Sequence, residues 1–228
     1  MERNEVDQLY HLLRQASNEA ADNKDQATAD AIYGIATHVL KGGDYLKLIQ
    51  YCAFYGERYL LEPTRKTIID KAWRPRRIIE LGAGLGWLGR GLSTGLAIDS
   101  EYLTTVFVDK RPWALTDIIA DLETDQGIMQ VRSQIKPGDL IVMSDFLHCV
   151  EDPAKIIKAF PDCAMAILEY IPTNIAWAES YMDQLKRYGG NPFSREEFGE
   201  IIIETGRNVY MENIGPYVLA LVNREGDK

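Results

Sequence analysis

Between Ile78 and Gly89 the chain reads Ile-Ile-Glu-Leu-Gly-Ala-Gly-Leu-Gly-Trp-Leu-Gly, an apolar strand that ends in a carboxylate and runs directly into alternating glycines. Bare backbone at alternate positions lets the main chain turn sharply and lie very close to a ligand. A strand leading through such a turn into a helix belongs to an open α/β sheet, whose ligand crevice lies beyond the carboxyl ends of its strands. The segment therefore restricts the fold to that class and marks the end of the sheet where chemistry is expected.

The rest of the chain agrees with this restriction. From Val6 to about Trp73 apolar residues recur at helical spacing, as in Leu9, Leu12, Leu13 and then Ile32, Ile35, Val39, Leu40. Asn23, Asp25 and Gly42-Gly43 break the helices, and Pro63 can start a last one running towards Trp73. Tyr51, Tyr55 and Tyr59 fall on one face of the intervening helix, a spacing typical of packing. After Arg77 short β-branched runs alternate with amphipathic stretches, the grammar of βα units and a mainly parallel sheet. Strands are expected at Arg77–Leu81, Thr104–Asp109, Ile118–Leu122, Asp139–Ser144 and Ala164–Glu169. Asn208–Ile214 and Tyr217–Arg224, joined by Gly215-Pro216, are expected to pair as an antiparallel hairpin, making seven strands. The organisation is thus a helical section over residues 1–73 and a Rossmann-like α/β domain over residues 74–228.

Composition limits the function. A formal charge of −9 and a pI near 4.9 argue against nucleic-acid binding, which needs a clustered basic surface to displace counterions. The one dense basic run, Lys71-Ala72-Trp73-Arg74-Pro75-Arg76-Arg77, reads as a solvated helix end leading into a buried strand. Cys52, Cys149 and Cys163 are scattered and lack CxxC spacing, so neither a disulfide framework nor a zinc site is indicated, and no cluster of acids and histidines has metal-ligand spacing. The charged start, Met1 to Asp7, lacks the apolar core of a signal peptide, and no apolar stretch approaches the ~20 residues that span a bilayer. A cytoplasmic protein without a membrane partner is expected.

The glycine turn by itself fits two kinds of ligand. Gly84, Gly86 and Gly89 match the dinucleotide fingerprint, whereas Gly82, Gly84 and Gly86 directly follow the acid Glu80 and the strand. Thr104–Asp109 is a second apolar strand ending in an acid, where a carboxylate can accept both ribose hydroxyls of either cofactor. Lys110 and Arg111 follow it, which keeps an NADP-type 2′-phosphate open.

Glu80-Leu81-Gly82-Ala83-Gly84-Leu85-Gly86 resembles the first motif of class I S-adenosylmethionine-dependent methyltransferases. The stretch from Pro137 to Pro153 is similar to the fourth-strand motif of small-molecule methyltransferases, with Ser144-Asp145, then Leu147-His148, then an acid and proline opening a helix. Pro192 to Phe198, Thr205-Gly206 and the closing hairpin resemble the same family's carboxy-terminal pattern, so the resemblance covers about Arg77 to Arg224 and leaves out the amino-terminal helices. It implies S-adenosylmethionine as cofactor. Glu80 would face the cationic methionine end, Gly82, Gly84 and Gly86 would bring backbone against the ligand, and Asp109 would hold the ribose. Asp121 and Leu122 occupy the place that supplies an acid to the adenine amino group and an apolar residue to its ring.

At the ends of the fourth and fifth strands Asp145, His148 and Glu169 are expected to converge near the transferred methyl group. His148 is the candidate base for an acceptor that arrives protonated, and Glu169-Tyr170 the candidate contact to a polar acceptor. Tyr170, Trp177, Tyr181 and Tyr188 either pack beneath a surface helix or wall an acceptor pocket. His11 and His38, on the helices, lack acidic partners at ligand spacing. The reading is a methyltransferase acting on a small molecule, with the amino-terminal helices as lid or homodimer surface. Two alternatives stand beside it. An NAD(P)-dependent oxidoreductase would use the other glycine register, and a catalytically silent S-adenosylmethionine-binding protein would keep the fold without the reaction.

Overall fold

The computed structural model describes residues 61–71, 73–84, 86–96, 103–112, 116–171, 190–191, 193–214 and 217–226. All belong to the second of the two units into which the chain divides, Leu60–Lys228. The expectations on the helices before residue 61, on Tyr51, Tyr55 and Tyr59, and on Trp177, Tyr181 and Tyr188 lie outside the described residues.

The strands are β1 (Arg77–Leu81), β2 (Thr104–Asp109), β3 (Ile118–Ile119), β4 (Asp139–Ser144), β5 (Ala164–Tyr170), β6 (Val209–Ile214) and β7 (Tyr217–Val222). They form one sheet in the order β3-β2-β1-β4-β5-β7-β6. The first five run parallel, and β7 lies antiparallel between β5 and β6. The expected Rossmann-like architecture with a closing antiparallel hairpin is the observed one. Strands covered on both faces read as continuous apolar runs, and Arg-Ile-Ile-Glu-Leu, Asp-Leu-Ile-Val-Met-Ser and Ala-Met-Ala-Ile-Leu-Glu-Tyr are of that kind.

The helices are α1 (Glu62–Asp70), α2 (Trp87–Leu96), α3 (Asp125–Arg132), α4 (Pro153–Lys158) and α5 (Arg195–Ile203). Alternation along the strands divides the core into two layers. Ile79, Leu81, Val108, Ile141, Met143, Met165 and Ile167 meet Ile128 and Val131 of α3, Ile156 and Ile157 of α4, and Phe198 and Ile202 of α5. The opposite face carries Ile78, Glu80, Phe107, Leu140 and Val142. There α2 lies over β1, β2 and β4, and α1 against α2. Each fully buried isoleucine or leucine contributes about 1.5–3 kcal/mol relative to exposure, so this double-sided burial holds the strand ends in fixed register.

Local chemistry sets the helix starts. Thr124 accepts a hydrogen bond from Gly127 N at 3.1 Å, Asp152 caps α4 ahead of Pro153, and Ser194 with Glu197 forms a reciprocal capping box on α5. β5, β6 and β7 differ from the sequence reading by one or two residues at an end, and two further boundaries differ for reasons visible in their hydrogen bonds. β3 stops at Ile119, because Asp121 accepts from Glu123 N and Thr124 N and so turns the chain out of the sheet. α1 ends at Asp70, closed by Lys71 N donating to Thr67 O and Trp73 N to Ile68 O. Within the basic run, Arg77 is a strut: its guanidinium grips buried Asp139 through two bonds of 3.1 and 2.5 Å, tying the start of β1 to the start of β4.

Candidate functional site

The glycine turn leaves β1 at the carboxyl end of the sheet. Gly82, Gly84 and Gly86 have φ of 64°, 50° and 65°, the left-handed region that glycine enters without steric cost. Ala83 N donates to Val108 O at 3.0 Å and Gly84 N to Asp109 Oδ2 at 2.9 Å, so the turn is laced to the end of β2. A Cβ on Gly82 would stand 2.1 Å from a ring carbon of Phe146, which packs over it from the loop after β4.

Glu80 and Asp109 flank this turn on neighbouring strands, in different surroundings. Glu80 points beneath α2, 2 % exposed, and its Oε2 accepts from Gly89 N at 3.1 Å. Burial pushes its carboxyl up to about 8, and the Gly89 N–H only partly opposes this. Gly89 is small of necessity, since a Cβ there would lie 2.6 Å from that same Oε2 and 2.9 Å from Thr105 Cγ2. The fourth glycine thus serves close packing of helix on strand. Asp109 is partly exposed and divides its oxygens between Gly84 N and Arg111 N, the latter at 2.9 Å from Oδ1. Each oxygen retains a lone pair for a further donor. Beyond β3 the Asp121 carboxylate is exposed, while Leu122 is 4 % exposed and packs into the core layer with Ile128.

The second group forms around the loop after β4. Glu169 is 1 % exposed and accepts three bonds: from Phe146 N at 2.9 Å and Leu147 N at 2.6 Å on Oε1, and at 2.9 Å between Oε2 and His148 Nδ1. It fastens the loop and orients the imidazole. Burial works against a charged His148, but the Cys149 thiol and the Glu169 carboxylate outweigh it and push the ring up to about 11. Glu169, at 2.9 Å from Nδ1, is the direct partner of the imidazolium. Asp145 has φ 50°, a conformation aspartate tolerates better than most residues. Its carboxylate accepts from Tyr170 N at 3.1 Å and from the Tyr217 hydroxyl at 3.4 Å. Burial, and then the charge of Glu169, push it up to about 7.

Asp145, His148 and Glu169 are therefore brought together, each with a ligand-type atom within 4.8 Å of the others. Such spacing could admit a metal ion, in competition with the hydrogen bonds by which Glu169 holds Phe146 N, Leu147 N and His148 Nδ1. Three features had no sequence signal: the Phe146 ring over Gly82, the left-handed Asp145, and Tyr217. The last reaches Asp145 because β7 pairs antiparallel with β5 and sets Tyr217 opposite Tyr170. A separate cleft of about 410 Å³, lined by Arg132, Lys136, Arg224 and Cys163 among others, lies at the amino-terminal ends of β4 and β5, away from these groups. Arg132, in the last turn of α3, complements the negative end of the helix dipole there.

No family model and no curated protein matches the sequence. Solved structures do match the fold. An O-methyltransferase family protein from Burkholderia thailandensis superimposes at TM-score 0.56 with 15 % identity, over 80 % of this chain and 61 % of that one. The CurJ carbon methyltransferase matches at 0.54 with 14 % identity, over 93 % and 70 %. Human N-acetylserotonin methyltransferase in complex with SAM matches at 0.54 with 12 % identity, over 88 % and 56 %. The chain thus spans 61 % and 56 % of the length of the first and third of these proteins. The fold of this chain is that of the class I methyltransferases.

Proposed function

We propose that this chain is an S-adenosylmethionine-dependent methyltransferase acting on a small molecule. The observation that carries the reading is the turn of three left-handed glycines laced to the acid ending β2, on a sheet of this strand order. It offers bare backbone and a carboxylate with spare lone pairs at the place where a nucleoside would lie. That the human enzyme of this fold was solved with SAM supports the choice of donor.

The bound donor would supply a methyl carbon activated by its sulfonium, open to in-line displacement. The residues around it hold and orient. Asp109 takes the ribose hydroxyls while keeping Gly84 N in place, Asp121 lies within the adenine side of the crevice, and Leu122 supports that loop from the core. Glu80, held neutral when the site is free, gains a reason to ionise when a cationic group approaches. His148 is held as an imidazolium by Glu169 and acts as a fixed cation and N–H donor rather than as a resting base. That favours an acceptor reaching the site already deprotonated or carrying negative charge, oriented by His148 and Tyr170. Asp145 and Glu169 are positioning residues in this scheme.

Calorimetric titration should show binding of S-adenosylhomocysteine and none of NADH or NADPH; binding of the nicotinamide cofactors in its place refutes the reading. Asp109→Ala should weaken S-adenosylhomocysteine by about 1.5–3 kcal/mol, the range for hydrogen bonds to a charged group. Unchanged affinity would remove Asp109 from the ribose site.

A further inference from the structure

At the opposite end of the sheet from the glycine turn, three cations reach one cleft from separate parts of the chain. Arg132 comes from the last turn of α3, Lys136 from the connection into β4, and Arg224 from just beyond β7. Among the described residues, none of these side chains has an ion-pair or hydrogen-bond partner. The chain carries 34 acidic residues against 25 basic ones, yet the only carboxylate among the described lining residues is that of Asp162. The Cys163 thiol adds no charge at neutral pH, because burial pushes it up to about 11. Three cations against one anion leave the cleft positive, and concave walls of low dielectric concentrate that field. The walls are also pinned in place. Lys136 N donates to Asp139 Oδ2 at 2.7 Å, Glu225 N donates to Pro161 O at 2.9 Å, and the Arg207 guanidinium ties Asn223 O to Cys163 O.

We propose that this cleft binds a phosphate monoester of a small apolar molecule. The site is independent of the glycine turn and of the reaction proposed there. A phosphate monoester carries about −1.5 to −2 charge at pH 7, which balances the excess of cations, whereas a carboxylate leaves one of them uncompensated. Two guanidiniums suit its oxygens because each presents a planar fork of N–H donors, and the Lys136 ammonium adds a point charge. The organic half has a place as well. Half-buried Ile135 and Pro161, with exposed Pro137, give an apolar wall beside the cations. The volume of about 410 Å³ exceeds what a bare anion needs and falls in the ~300–1,000 Å³ range of small-molecule sites. In the free chain the three like charges repel one another, and a dianion removes that repulsion.

The test uses phenyl phosphate as probe, with inorganic phosphate and benzoate as comparisons, followed by calorimetry and by NMR of the backbone amides. Phenyl phosphate should shift the signals of Ile135, Cys163 and Arg224 and leave those of Gly84 and Asp109 in place. It should bind about tenfold more tightly than either comparison, a factor equivalent to ~1.4 kcal/mol. Arg224→Ala should weaken it by about the same factor without changing the melting temperature, and Asp162→Asn should tighten it by removing the one opposing charge. Absence of shifts at the cleft overturns the site. Equal affinity for inorganic phosphate marks an adventitious ion only, and equal affinity for benzoate overturns the match to a dianion. Unchanged affinity in Arg224→Ala, or weaker binding in Asp162→Asn, overturns the roles given to those charges. A lower melting temperature in Arg224→Ala reveals an internal partner for the guanidinium and overturns the assignment too.

Discussion

Replacing Glu169 by alanine should cost about 3–5 kcal/mol of stability, the range for removing one partner of a buried pair. Against a total of roughly 5–15 kcal/mol for a domain, that is enough to shift a urea midpoint far downwards. The reason is specific: the substitution strands Phe146 N, Leu147 N and the His148 ring at once. Glu169→Gln separates charge from geometry, because an amide oxygen can still accept from the two N–H groups while its NH₂ faces the imidazole. His148 should then titrate well below its present value of about 11, a change read by NMR of the ring protons. The sign for stability follows. A histidine whose folded pKa of about 11 exceeds the unfolded 6.5 stabilises fully below pH 6.5 and loses that contribution as pH rises through 11. Glu80, raised to about 8, and Asp145, raised to about 7, lower stability with rising pH in the same sense but complete their change by about pH 8. Between pH 8 and 11 the stability of the unaltered chain should fall more steeply than that of Glu169→Gln. Parallel slopes in that window, or a ring still titrating above pH 9 in the variant, contradict the pairing.

Gly82→Ala should be far more damaging than Gly84→Ala in the same turn. At φ 64° an alanine costs about 1–2 kcal/mol of backbone strain, and its Cβ would meet Phe146 Cδ2 at 2.1 Å and Cγ at 2.5 Å. Overpacking of that kind adds about 1–3 kcal/mol. The Phe146 backbone cannot shift to make room, since its N–H is held by Glu169. Urea unfolding should show about 2–5 kcal/mol of destabilisation, and S-adenosylhomocysteine binding should vanish from calorimetry. Gly84→Ala is the control: φ is 50°, but the nearest atom to a Cβ there is Gly82 O at 4.0 Å. It should lose only the backbone share of stability while still obstructing the ligand. Equal destabilisation by the two substitutions would show that the Phe146 contact is not the cause.

The coupling of the glycine turn to the loop after β4, through one aromatic ring, explains why some of this site was legible in sequence and some was not. β1, β2 and β4 fall at the boundaries their β-branched runs dictate, because a strand buried on both faces writes its length directly in apolar residues. β3 is shorter than its apolar run because Asp121 and Thr124 compete for the backbone through turn bonds that an apolar count does not register. The three alternating glycines were readable as a turn because left-handed backbone excludes most other side chains. Asp145 takes the same backbone region and gave no signal, since nothing in a local pattern distinguishes it from an ordinary strand-end acid.

Sequence by itself determined the parallel sheet with its closing hairpin, the glycine turn and the acids at the strand ends, because these follow from side-chain period and from steric limits on single residues. It did not determine what those acids do. Glu80, Asp145 and Glu169 are chemically alike, yet one is kept neutral under a helix, one shares its field with a neighbouring carboxylate, and one is fixed by three donors. These states are set by burial and by partners as distant in the chain as Tyr217 is from Asp145. Only the tertiary structure brings such groups into hydrogen-bonding distance, and ionisation depends on that distance and on the exclusion of water, neither of which is a property of a residue type.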